Sequence, residues 1–154
     1  MINRNFCQFV TVGSVVLFTV TMIISSGSLA VDSEFQRESP ESLAVAITID
    51  SEHLIELYQS VPGLQIIDSR HHEDRSLGYI EQSFSLPLAK TNCTSLAIMT
   101  ESKDRAIVFY SNGNSSDASI GAIQIASSCG YKRLFWLRGG FVEWEDKDYP
   151  LVIE

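Results

Sequence analysis

Three runs of the chain are apolar without alternation: Leu64 to Asp68, Ala106-Ile107-Val108-Phe109-Tyr110 and Leu134-Phe135-Trp136-Leu137. Strands read this way when both sides of the pleat meet apolar neighbours, as in the middle of a parallel sheet. Between the last two lies Ala118 to Ser128, where Ile120, Ile123 and Ile125 with Ala122 and Ala126 predict a helix stopped by Gly130. Upstream, Ala44-Val45-Ala46-Ile47-Thr48-Ile49 is β-rich, and Asp50 or Ser51 caps a short helix whose Leu54, Leu57 and Tyr58 recur at helical spacing. Pro62-Gly63 and Gly139-Gly140 are turns, and Phe141 to Asp146 reads as a short helix. Strands alternating with helices imply an α/β fold, a parallel sheet with helices on both faces. Ligands of such sheets bind beyond the carboxyl ends of the strands, which points to the loops after Asp68 and after Tyr110.

The first thirty residues follow another pattern. Arg4 is their one charged side chain, Phe9 to Ile24 is an apolar stretch, and Ser28-Leu29-Ala30 supplies small residues at −3 and −1 of a cleavage site. This is the order of a secretory signal peptide. An uncleaved membrane anchor is the alternative, although the run is shorter than the ~20 residues a spanning helix needs. We therefore expect a signal peptide over 1–30, a flexible, polar linker over 31–43 that includes Pro40, and one domain over 44–154. Export to the periplasm or cell envelope follows, with a membrane contact only if the leader stays attached.

Charge narrows the partners. Loss of residues 1–30 removes Arg4 and no acid, leaving 10 Lys and Arg against 19 Asp and Glu, a net charge of −9. Nucleic acid is excluded as a partner, because phosphate binding needs a basic face. Of the three cysteines, Cys7 leaves with the leader. Cys93, in a loop or short helix, and Cys129, near a helix end, remain in an oxidising compartment, where they either pair or stay as separate thiols.

Ile67 to Arg70, Gly78 to Pro87, Phe109 to Gly113 and Gly130 to Trp144, in order and at consistent spacing, resemble the single-domain rhodaneses of the bacterial cell envelope. Ile67-Asp68-Ser69-Arg70 is similar to the family's strand ending in Asp-x-Arg. Gly78-Tyr79-Ile80-Glu81-Gln82-Ser83 stands where the family has Gly-His-Ile-x-Gly-Ala, leading to the short strand Phe84-Ser85-Leu86-Pro87. Phe109-Tyr110-Ser111-Asn112-Gly113 is similar to a Phe-Tyr-Cys-Asn-Gly run, and the most specific match is Gly130 to Trp144 followed by Tyr149-Pro150. The resemblance covers about residues 45 to 154. It implies a single rhodanese-like domain with a five-stranded parallel sheet, and a reaction in which a cysteine takes sulfane sulfur from a donor such as thiosulfate and passes it to cyanide or a thiol.

That reaction needs a soft sulfur nucleophile, its thiolate favoured by a helix N-terminus and converging backbone N–H groups. Here Ser111 occupies the cysteine position, and Ser116 a second cysteine position of some close relatives. A serine hydroxyl forms no persulfide and is far less acidic than a thiol of pKa about 8.5. No Gly-x-Ser-x-Gly elbow frames Ser111 for hydrolysis, and a Cys-x5-Arg phosphatase loop lacks both its cysteine and its arginine. The expectation is therefore a domain without sulfurtransferase activity that acts as a binding or regulatory module. Its loop Ser111, Asn112, Gly113, Asn114, Ser115 and Ser116 would take a small anion, a sulfur-containing ligand or a protein partner. Asp68, Arg70 and Arg138 would support it. The competing expectation is a sulfur-transfer or thiol-redox enzyme that uses Cys93 or Cys129.

Weaker signals complete the reading. His71-His72-Glu73-Asp74 places four possible ligands side by side on a loop, but neighbours point apart and no distant Cys/His pair completes a tetrahedral set, so neither metal nor cofactor is expected. Asn92-Cys93-Thr94 and Asn114-Ser115-Ser116 match the N-glycosylation pattern, which matters only in a eukaryotic secretory pathway.

Overall fold

The computed structural model describes residues 38–153, so the expected signal peptide over 1–30 and the first part of the expected linker, 31–37, lie outside the described residues. Strand β1 (Ile47–Ile49) leads into helix α1 (Ser51–Ser60), whose N-terminus is capped by the Asp50 carboxylate accepting from the His53 amide at 2.8 Å. The β-rich run from Ala44 is shorter as a strand than expected. Its first residues close a tight turn instead, the Ala46 amide donating to the Leu43 carbonyl at 3.3 Å. Next come β2 (Gln65–Asp68), a short helix α2 (His72–Ser76), β3 (Tyr79–Ile80) and β4 (Ser83–Ser85). A 3-10 turn over Leu88–Lys90 precedes α3 (Cys93–Met99), β5 (Ala106–Tyr110), α4 (Ala118–Ser128), β6 (Arg133–Leu137), α5 (Gly140–Asp146) and β7 (Leu151–Val152).

Five strands form one parallel sheet in the order β1-β6-β5-β2-β4. The alternation of side chains across the pleat divides the core in two. Ile67, Ile107, Phe109, Leu134 and Trp136 pack against Leu96 of α3 and Ile120, Ile123 and Ala126 of α4. Ile66, Val108, Tyr110 and Leu137 pack on the opposite side against Leu54 of α1 and Phe141 and Trp144 of α5. A minor antiparallel pair, β3 with β7, seals the second core and was not foreseen in the sequence, because two residues carry no periodicity to detect.

One more expectation is corrected. His71 to Asp74 is not a loop, since His72 to Ser76 form helix α2. In the described end of the expected linker, residues 38–43, Ser39 is 4% exposed and Leu43 rests on the first core, while Glu38, Pro40, Glu41 and Ser42 are exposed.

Register places the site. Asp68 pairs with Tyr110 at the carboxyl ends of β2 and β5, so the segments after them begin side by side, joined by the Ser69 amide donating to the Tyr110 carbonyl at 2.9 Å.

Candidate functional site

Ser111 leaves the end of β5 and opens the loop that runs to Asp117 before α4. It is 2% exposed. Its hydroxyl lies 3.0 Å from the Ser119 hydroxyl and 3.4 Å from the Ser116 carbonyl, and Ser119 in turn accepts from the Trp136 indole N–H at 3.0 Å. The Ser111 oxygen is thus a member of a buried polar chain. Among the described residues no carboxylate or imidazole is hydrogen-bonded to it.

The loop is clamped from above by the turn into α5. The amides of Phe141 and Val142 donate to the carbonyls of Ser111 and Asn112, each at 2.9 Å. Gly140 permits this approach: its φ is +62°, and a Cβ there would run into the Ser111 carbonyl. Within the loop the Ser116 amide is turned inward to the Gly113 carbonyl at 3.0 Å, and the Asn112 side-chain amide donates to Asp74 at 3.3 Å. His71, His72 and Glu73 stay exposed, and among the described residues no cluster of His, Cys, Asp or Glu forms a metal-sized group.

Beside the loop runs a groove of about 830 Å³ bounded by Asn112 to Ser115, Arg138 and α5. Its charges are mostly acidic, with Glu38, Asp50, Glu143 and Asp146 against Arg138 and Lys147. Neither cation faces an incoming anion unengaged. Arg138 donates to the carbonyls of Pro40 at 2.8 Å and Ser39 at 3.0 Å. Lys147 is bonded to Glu143 at 2.8 Å and Glu52 at 2.6 Å, and these bonds raise its pKa and lower that of Glu52. Arg138, expected to support the loop, reaches the incoming N-terminal segment.

Below the loop Asp68 anchors a buried network. It accepts from the Arg70 amide and Nε at 3.0 Å each, from an Arg70 terminal nitrogen at 2.8 Å, from Arg75 at 3.2 Å and from the Tyr110 hydroxyl at 2.8 Å. Arg70 also donates to the Gly78 carbonyl at 2.7 Å and stacks 4.1 Å over Phe141. Burial opposes its charge, but the hydrogen bonds and field of Asp68 outweigh burial and raise its pKa. Arg75 was missed in the sequence. It is 8% exposed, donates to the Ser83 hydroxyl at 2.9 Å and carbonyl at 2.7 Å, and lies 3.6 Å over the Tyr79 ring. Only its place after two histidines and two acids hinted at it, and that pattern reads as a solvated surface.

Cys93 and Cys129 form a disulfide joining α3 to the C-terminal end of α4, with Cα atoms 5.4 Å apart. The pairing left open by the sequence is made, and in this state neither sulfur is a thiol.

A model of the rhodanese-like domain matches residues 52–147, well over half of the chain. The chain belongs to the rhodanese-like family. No curated protein matches it. Among solved structures it is similar to a Bacillus halodurans protein at 21% identity and a TM-score of 0.62, covering 70% of this chain and 77% of that one. The rhodanese-like domain of an Anabaena protein aligns at 20% identity and a TM-score of 0.54, over 68% of this chain and all of that one. A thiosulfate sulfurtransferase from Pseudomonas aeruginosa aligns at 16% identity and a TM-score of 0.60, over 70% of this chain and 20% of that one. At these identities the likeness shows the fold.

Proposed function

We propose that this rhodanese-like protein is an exported binding or regulatory module that has lost sulfur transfer. One observation carries the reading: at the position that the resemblance assigns to the persulfide-forming cysteine stands Ser111, whose buried hydroxyl is engaged with Ser119. Sulfur transfer breaks the S–S bond of thiosulfate by attack of a thiolate and stores the outer sulfur as a persulfide. Oxygen is a poor substitute, because an alkoxide at neutral pH is scarce and an oxygen–sulfur adduct does not pass sulfur onward. The cysteines that an alternative thiol enzyme would use are joined to each other, with Cys129 at the far end of α4 from the loop.

Export is supported by the leader-like pattern of residues 1–30 and by the Cys93–Cys129 disulfide, which persists in oxidising compartments. The groove argues for a protein partner over a free anion, since its unshared charges are carboxylates and a basic segment is the complementary ligand. A thiosulfate:cyanide assay decides the central point. We expect no turnover above the uncatalysed rate, and turnover that Ser111→Ala abolishes would overturn the reading.

A further inference from the structure

Residues ahead of the first strand of a domain are commonly solvated, yet Ser39 is 4% exposed. Four hydrogen bonds hold it and its neighbour. The Ser39 amide and hydroxyl both donate to the Asn114 carbonyl at 2.6 Å. Arg138 donates from Nε to the Pro40 carbonyl at 2.8 Å and from a terminal nitrogen to the Ser39 carbonyl at 3.0 Å. Arg138 sits next to Gly139-Gly140, the turn whose following amides grip the Ser111 and Asn112 carbonyls. One turn therefore fixes the loop from one side and the incoming segment from the other. Pro40 suits the task, because it holds Ser39 extended and presents carbonyls without a competing N–H of its own. At the other end Leu43 is packed on the core, so the stretch between is tethered at both ends.

Glu38 lines a groove with Asp50, Glu143 and Asp146 on one side of the balance and Arg138 and Lys147 on the other, a small surplus of acids. A segment held at that rim by hydrogen bonds can lift when a cationic ligand competes for the groove.

We propose that Glu38 to Leu43 form a strap that closes the rim of the Ser111 loop, latched by Arg138 and Asn114, and that lifting it opens the loop to a partner. This deepens the binding-module reading by giving the site its regulation, and it rests on that reading.

The test needs no turnover, so its failure is separate from that of the proposed function. Ser111→Cys places a buried thiol in the loop that the strap latches through the Asn114 carbonyl, and its alkylation by iodoacetamide reports how far that loop opens. Adding Ser39→Pro and Arg138→Met removes the donors of all four contacts. Labelling of a protected group follows the population of the open form, so alkylation should become at least about tenfold faster than in Ser111→Cys alone. An unchanged rate in the folded triple variant overturns the strap. If that variant does not fold, Arg138→Met in the Ser111→Cys background removes two of the contacts, and an unchanged rate there overturns it equally.

Discussion

Tyr110 and Asp68 face each other at the ends of neighbouring strands, and the tyrosine hydroxyl donates to the buried carboxylate at 2.8 Å while receiving the Ile80 amide at 3.3 Å. The hydroxyl thereby ties the main sheet to β3. Burial foremost, and then the Asp68 charge, push the Tyr110 pKa well above its ordinary value. In the unfolded chain it ionises near 10. Between that pH and its higher folded pKa the unfolded state has lost a proton that the folded state keeps, so stability falls as pH rises. We expect one tyrosine to resist ionisation until the alkaline unfolding transition, as read by tyrosinate absorbance. Tyr110→Phe should remove that resistant step.

The same carboxylate ranks two substitutions. Asp68→Asn leaves the Arg70 and Arg75 guanidiniums buried without their counter-charge and should cost about 3–5 kcal/mol. Arg75→Met keeps the Asp68–Arg70 pair but removes one bond to Asp68 and two to Ser83, a loss of about 1–3 kcal/mol. Urea unfolding of both variants checks the order, and a larger loss for Arg75→Met would refute this division of the network.

Two turn positions should respond in opposite directions. Gln82 adopts φ +63°, a conformation that L side chains resist, at a place where the resembled motif has glycine. Gln82→Gly should therefore stabilise by about 0.5–1 kcal/mol. Gly140→Ala should instead cost about 2 kcal/mol or more, because strain at φ +62° is joined by collision with the Ser111 carbonyl. Thermal melts of the two variants give the signs.

The disulfide closes a loop between positions 36 apart in sequence. Loop-closure entropy assigns such a bridge about 3–4 kcal/mol, with the mechanism dependent on the model of the unfolded chain. Reductant should lower the melting temperature of the native protein and leave a Cys93→Ser, Cys129→Ser variant unaffected.

Much of this architecture was legible along the chain. The apolar runs ending at Asp68, Tyr110 and Leu137 are strands of the sheet, and Ala118 to Ser128 is the helix expected, because fully buried strands and a long apolar helix face write themselves into composition. Ser111 was also legible as the opening of the loop. Arg75 and the β3–β7 pair were not, since a buried cation among polar neighbours and a two-residue strand have no periodic signature.

By itself, then, the sequence determined that this is an α/β chain of rhodanese type and that Ser111 stands where the resemblance expects a cysteine, for side-chain identity and hydrophobic period are local properties. Only the tertiary structure decided where that hydroxyl points, that Arg138 latches residues 39 and 40, and that Cys93 meets Cys129. Those contacts join residues from 5 to 99 positions apart. Such contacts depend on strand order and on how the layers pack, and no stretch of neighbouring residues encodes them.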